Sequence, residues 1–356
     1  MAVNFTAGGL PTLIGSLPIS DHKEAARLVL SNTPEIPLWV QLPVHKEEGM
    51  MAQFIHGMPG LSPDKDKSFV NTSDDRFENE LIEFYEEYLT ITESGKDFEE
   101  SRFVISPADA PGFFEFMEQI PSLGKPAVAL KGQITGPFTL GTGVSDQNGR
   151  AIFYDDRLRD AMVKLLALKA GWQVRQLSKF GRPVIIFFDE PALAGFGSSA
   201  FIGISEDEIA ACFAEVIEAV HREGGLAGIH VCANAEWSII LDSPADIVSF
   251  DAYAFFDRFS LYPDHIRRFM AKGGILAWGI VPTMSVEDIE KETAESLVLK
   301  WKEQAGRIEK LGIDSSKIKA QSLITPSCGT GFLKLEHAIR VLQLTREVSD
   351  RVQREY

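Results

Sequence analysis

Eight short apolar runs, almost all separated by helical stretches, constrain this chain more than any other feature. They fall at residues 12–16, 36–41, 127–133, 183–189, 226–232, 245–251, 274–280 and 319–325. A run such as Pro183-Val-Ile-Ile-Phe-Phe-Asp189 is apolar continuously rather than alternately, as in a strand buried on both faces. Such strands, alternating with helices, make a parallel sheet in an α/β protein. Eight units predict a closed (β/α)8 TIM barrel. The intervening helices are expected from Asp21 and at 79–92, 109–120, 156–180, 206–222, 262–272, 286–311 and 333–355. An open doubly wound sheet is the alternative. No GxGxxG follows the first run, which counts against a dinucleotide-binding version. Neither a linker nor an internal repeat interrupts the pattern, so residues 1–356 read as one domain. Residues 43–75, after the second strand, break the rhythm. They are rich in Gly, Met and Asp, and are expected to form a long loop excursion over the top of the fold, as a lid or substrate loop.

Composition removes several classes of function. A net charge of −16 argues against a nucleic-acid partner or an anionic membrane surface. The apolar runs are strand-sized, far short of a membrane span. The N-terminus lacks the basic start and apolar core of a signal peptide. Three cysteines do not make a disulfide framework. The expectation is a reduced, cytoplasmic protein. Cys212 lies on an amphipathic helical pattern and reads as a small core residue.

The residues that carry chemistry share one position, the end of a strand. Ser16 follows the first run, Gln41 ends the second and Gln133 the third. Asp189 and Glu190 end the fourth, His230 and Cys232 the fifth, and Asp251 the sixth. Cys328 follows the eighth. In a barrel these ends converge on the carboxyl-terminal mouth, where active sites lie. Residues i and i+2 of a strand share a face, so His230-Val-Cys232 can grip one ion. With Cys328 and the Asp251 carboxylate they make a tetrahedral zinc set of one imidazole, two thiolates and one carboxylate. The structural alternatives are a buried histidine, a core cysteine and, for Asp251, a carboxylate bonded to a helix start. Glu236 competes with Asp251 in sequence. The Asp189-Glu190 pair is costly to desolvate at a barrel mouth unless it meets a cation such as a substrate ammonium. Its alternative is a pair of helix caps. The Gly- and Thr-rich Lys131-Gly-Gln-Ile-Thr-Gly-Pro137 stretch reads equally well as a ligand-facing backbone or a strand-to-helix turn.

Taken together, Ile14-Gly-Ser16, Lys131-Gly-Gln-Ile-Thr-Gly-Pro137, Asp189-Glu-Pro-Ala-Leu193, His230-Val-Cys232 and Pro326-Ser-Cys328-Gly resemble the cobalamin-independent methionine synthase family, specifically its catalytic C-terminal barrel. That family belongs to a superfamily with uroporphyrinogen decarboxylase and the methylcobamide:coenzyme M methyltransferases. The resemblance implies a zinc-dependent methyltransferase acting on the thiol of homocysteine to form methionine. His230, Cys232 and Cys328 would bind the zinc. Ile14 and Ser16 would hold the substrate carboxylate, and Asp189 its ammonium. Gln133 and Glu190 join Asp189 as substrate-side residues. There are three departures. The family's carboxylate ligand is a glutamate, whereas Asp251 is one methylene shorter. The family's second acidic contact to the amine falls in the segment 44–48, where His45 or Glu47 stands in for it. The family's long N-terminal half has no counterpart here. The chain is therefore similar to the short core members, which the resemblance links to methylcobalamin or a corrinoid protein as donor. Methyltetrahydrofolate as donor, another thiol such as coenzyme M as acceptor, and a zinc-binding scaffold without turnover are the competing expectations. A porphyrinogen decarboxylase needs cationic side chains where these strand ends are acidic and thiol-bearing.

Overall fold

The computed structural model describes residues 5–62, 68–96 and 98–355. Seven parallel strands form one sheet. In chain order they are β1 (Leu10–Pro11), β4 (Leu130–Thr135), β5 (Val184–Asp189), β6 (Leu226–Val231), β7 (Ile247–Phe250), β8 (Ile275–Val281) and β9 (Ser322–Pro326), and their spatial order is β1-β9-β8-β7-β6-β5-β4. The numbers β2 (Leu61–Ser62) and β3 (Phe69–Val70) belong to a separate antiparallel pair.

The segment 36–41 closes the gap between the two edges of the sheet. It touches one side through a Ser16–Gln41 bridge and the other through a Leu38–Lys131 bridge. Three backbone bonds hold it: Gln41 N to Gly15 O at 3.1 Å, Leu17 N to Gln41 O at 3.1 Å, and Lys131 N to Pro37 O at 2.9 Å. With this eighth stave the curled sheet is a (β/α)8 barrel, as the eight apolar runs predict. The first two staves depart from those runs: β1 lies at Leu10–Pro11, before the expected 12–16, and only isolated bridges at Ser16, Leu38 and Gln41 pair within the two expected runs.

The strands form where the sequence is apolar on both faces, and every residue of β5 is buried. Ile36, Ile185, Phe187, Ile247, Ala277 and Leu323 fill the floor of the barrel as a cluster distinct from the layer between strands and helices. The outer helices carry explicit start signals. Glu206–Arg222 opens with a capping box between Ser205 and Glu208. Pro111–Gln119, Pro137–Gly143 and Pro263–Ala271 each open on proline, whose missing N–H costs nothing in the first turn. Two further elements change. The helix expected at 286–311 is two, Val286–Lys291 and Ala294–Glu309, because Thr293 caps the second through Ser296. The last strand begins at Ser322 rather than Lys319, because Asp314 caps a short helix, Ser315–Ala320.

The excursion after segment 36–41 does fold over the mouth. It holds a tight turn at Lys46–Glu48, a short helix at Ala52–Ile55 and the β2–β3 pair. Part of it, residues 63–67, lies outside the described residues. Thr135 Oγ1 at the end of β4 donates to the Met50 carbonyl at 2.7 Å, and Gln41 Nε2 donates to Gln53 Oε1 at 2.7 Å. These bonds tie the roof to two staves of the barrel. Among the described residues, no helix is long and apolar enough to cross a membrane.

Candidate metal centre

Register places the chemistry. In the parallel ladder Thr135 of β4 lies beside Asp189 of β5, Asp189 beside His230 of β6, and His230 beside Ser249 of β7. Parallel neighbours are about 4.8 Å apart, so these side chains form one tier at the mouth. Cys232 follows β6 by one residue, and the turn after β9 brings Cys328 across from the far side of the barrel. One ligand atom from each of His230, Cys232 and Cys328 lies within 4.8 Å of the others.

The surroundings of His230 select its ligand nitrogen. The ring is buried, and its Nδ1 lies 2.9 Å from Ser249 Oγ. Its Nε2 is buried with no hydrogen-bond partner among the described residues. A proton on Nδ1, donated to the serine, leaves a lone pair on Nε2 aimed into the site. That is how a metal-ligating imidazole is usually held. The cysteines are free thiols, one ligand atom of each within 4.8 Å of the other. Their mutual proximity lowers the pKa of the Cys232 thiol and raises that of Cys328. Two sulfurs and an imidazole nitrogen with an unused lone pair fit a zinc ion.

Asp251 stands outside this group. Its Oδ1 accepts from Ala254 N at 2.8 Å and caps the helix Ala252–Phe259, the structural alternative for this residue. Burial pushes its carboxyl up to about 6.

A cavity of about 300 Å³ opens above the three ligand residues. Ile14, Ser16, Gln41 and Asp189 line its walls, and Pro43, Glu48, Gly49 and Met50 of the excursion line its roof. Ser16 is fixed on both sides. Its carbonyl accepts from Thr330 N and Thr330 Oγ1, and its Oγ accepts from Gly331 N at 3.1 Å. Gly331 has to be glycine, because a Cβ there would sit 2.9 Å from both Ser16 Cβ and Pro43 Cγ.

The acidic pair divides. Asp189 faces the cavity, and its buried Oδ1 has no partner among the described residues. Burial raises its carboxyl, opposed by the nearby His230 and Lys131. A buried carboxylate oxygen without a donor is expensive unless a ligand supplies one. Glu190 turns the other way. It accepts from Phe138 N at 2.9 Å, Thr139 N at 2.8 Å and Thr139 Oγ1 at 2.6 Å, and so caps the helix Pro137–Gly143. It is outside the cavity lining, as is Gln133, whose Nε2 donates to the Trp39 carbonyl at 2.8 Å. Both are buried supports.

Two residues acquire roles that the sequence did not single out. Ser249 sits in an otherwise apolar strand, and only its register beside His230 marks it. Lys131 is fully buried inside the barrel. Its Nζ donates to the Ile14 carbonyl at 2.7 Å and lies 4.4 Å from the centre of the Phe187 ring. Burial pushes its ammonium pKa down, against the pull of Asp189. Lys131 therefore fixes one cavity wall.

No protein-family model matches the chain. No curated protein matches it either. Solved structures do resemble it. A B12-independent methionine synthase from a Shewanella species, solved with selenomethionine, is 15% identical with a TM-score of 0.52, covering 97% of this chain and 98% of that one. The chain has its fold. A methyltransferase from Methanosarcina mazei is 13% identical with a TM-score of 0.51, covering 92% of this chain and 85% of that one.

Proposed function

We propose that the chain is a zinc-dependent methyltransferase that methylates a thiol, homocysteine fitting best, to give methionine. One observation carries the reading. The ligand atoms of His230, Cys232 and Cys328 converge in a cavity whose wall also holds the unpartnered Asp189 carboxylate. Sulfur ligands suit zinc, and a buried acid suits an ammonium; an amino thiol satisfies both. The two methyltransferases of the same fold support the same reaction class.

Zinc held by His230, Cys232 and Cys328 would supply the substrate sulfur as a thiolate at neutral pH. The chain's own residues do the rest. Asp189 accepts the substrate ammonium, and the Lys131 side chain lies near enough to favour its ionised form when the site is empty. The Ser16 hydroxyl and the Ile14 backbone meet the carboxylate. The excursion 43–50 roofs the cavity and limits water. Ser249 keeps the His230 lone pair aimed. The sulfur attacks the donor methyl carbon in line, an S–C bond forms, and the electron pair of the breaking bond leaves on the donor. A corrinoid donor accepts that pair on cobalt without a proton. A folate donor needs protonation at nitrogen, a further demand that a corrinoid donor does not make. Methylcobalamin or a methylated corrinoid protein is therefore the first donor to try. Coenzyme M, which has no ammonium, leaves Asp189 without a role.

The test is zinc per chain in the native protein and in Cys328→Ala, followed by methyl transfer from methylcobalamin to homocysteine. About one sulfur-ligated zinc that falls sharply in the variant, together with methionine formation, supports the proposal. A zinc-replete, active Cys328→Ala protein overturns it.

A further inference from the structure

A second group of metal-ligand side chains lies at the edge of the same cavity; it includes His45, which with Glu47 was the expected stand-in for the amine contact, and neither residue lines the cavity. His22, His45 and Glu48 each bring one ligand atom within 4.8 Å of the other two. Glu48 has a side chain only 1% exposed, and its Oε1 lies 2.6 Å from His22 Nε2. Its Oε2 accepts from Leu42 N at 2.9 Å. The His45 ring stacks on that of His22, with centroids 5.3 Å apart and planes inclined at 16°.

An ordinary histidine–carboxylate pair is the simpler explanation, and two features go beyond it. The chain has other such pairs, His221 with Asp246 among them, that bring no second imidazole. More telling is the far side of His45. Its Nε2 lies 2.9 Å from the Ser20 carbonyl, which can only accept, so Nε2 carries the proton and Nδ1 keeps a lone pair. A backbone carbonyl fixing the tautomer in this way is the usual support of a metal-bound histidine.

We propose that His22, His45 and Glu48 form a second divalent-metal site, of zinc type, with two nitrogens, one oxygen and a remaining position for water. The placement gives it a purpose. Glu48 belongs to the turn Lys46–Glu48 that roofs the cavity, while His22 opens the helix His22–Asn32 that follows the first stave. An ion here fastens the roof to the barrel wall. It is a clamp rather than a reaction centre, and it does not depend on the thiol-methylation reading.

Cobalt(II) titration of the native, metal-stripped protein tests this. The sulfur-bearing site reports through a near-ultraviolet thiolate-to-cobalt band, and a nitrogen–oxygen site lacks that band. The expectation is two ions per chain, only one contributing the band. A His22→Ala/His45→Ala variant should bind one ion with the band intact, and Cys328→Ala should keep the ion that lacks it. A second measurement needs no variant. At free zinc ten times the dissociation constant of the second site, amide exchange through opening of residues 46–54 should slow about tenfold. A native protein that binds a single ion, a double variant that still binds two, or exchange indifferent to the second equivalent overturns the proposal. A native protein that binds the second ion but never shows the thiolate band would sink the methyltransferase reading and leave this one standing.

Discussion

Ser249→Ala should weaken zinc binding without touching a metal ligand. The hydroxyl lies 2.9 Å from His230 Nδ1, and both residues are buried. Alanine leaves an N–H in the interior with no acceptor, a cost of about 1–3 kcal/mol. It also removes what fixes the proton on Nδ1. A proton that moves to Nε2 occupies the lone pair the metal needs. Removing an outer partner of this kind lowers metal affinity about 10- to 100-fold, which is about 1.4–2.8 kcal/mol. The two ranges coincide, so most of the hydrogen-bond loss should appear as lost affinity. The assay is competition for zinc against a chelator of known affinity. Thermal unfolding of the metal-free proteins runs alongside it, to separate the cost to the fold from the cost to the metal. A Ser249→Ala protein that melts like the native one and binds zinc with an affinity well short of a tenfold loss would refute Ser249 as the group that holds the His230 tautomer for the metal.

Asp189→Ala should raise KM for homocysteine by about 10- to 150-fold, the worth of a hydrogen bond to a charged group, and leave KM for a thiol without an amino group unchanged. Equal effects on both thiols would remove Asp189 from ammonium binding. Gly331→Ala pushes a methyl against Ser16 and Pro43; it should weaken substrate binding while zinc content holds, and unchanged kinetics would show that the Ser16 hydroxyl is not used. Burial raises the Glu190 carboxyl from 4.5 to about 7. The folded protein then holds a proton in that window that the unfolded chain has released, so this group's contribution is full below pH 4.5 and is lost as pH rises through 7. Urea midpoints of native protein and Glu190→Gln across that window should diverge accordingly, and parallel curves would show that Glu190 is already ionised in the fold.

The strands were legible because burial on both faces writes a continuous apolar run, and β5 needs no tertiary information to be recognised. Helix starts were legible where the cap is local, as at Ser205 with Glu208 or Asp21 before His22. The gathering of His230, Cys232 and Cys328 followed from placing each at a strand end of one barrel. The excursion 43–75 stood out because it lacked either period. Its contacts with the cavity did not, since they depend on where the chain returns.

What the sequence by itself determined, then, is the set of elements, their alternation and the strand ends that carry reactive side chains, because these follow from local periodicity and caps. Direction and partnership were decided by the tertiary structure. Asp189 and Glu190 are adjacent, yet one faces the cavity and the other caps a helix; strand alternation separates them, but only the register Thr135–Asp189–His230 says which turns inward. Asp251 was expected to ligate zinc, and its position at the start of Ala252–Phe259 gives one of its oxygens a backbone donor. Ser249 became the partner of His230 only when β6 and β7 paired. His22 meets Glu48 across 26 residues because the roof folds back onto the first helix. Each of these depends on a residue distant in sequence, and local periodicity carries no record of which distant residue the folded chain brings near.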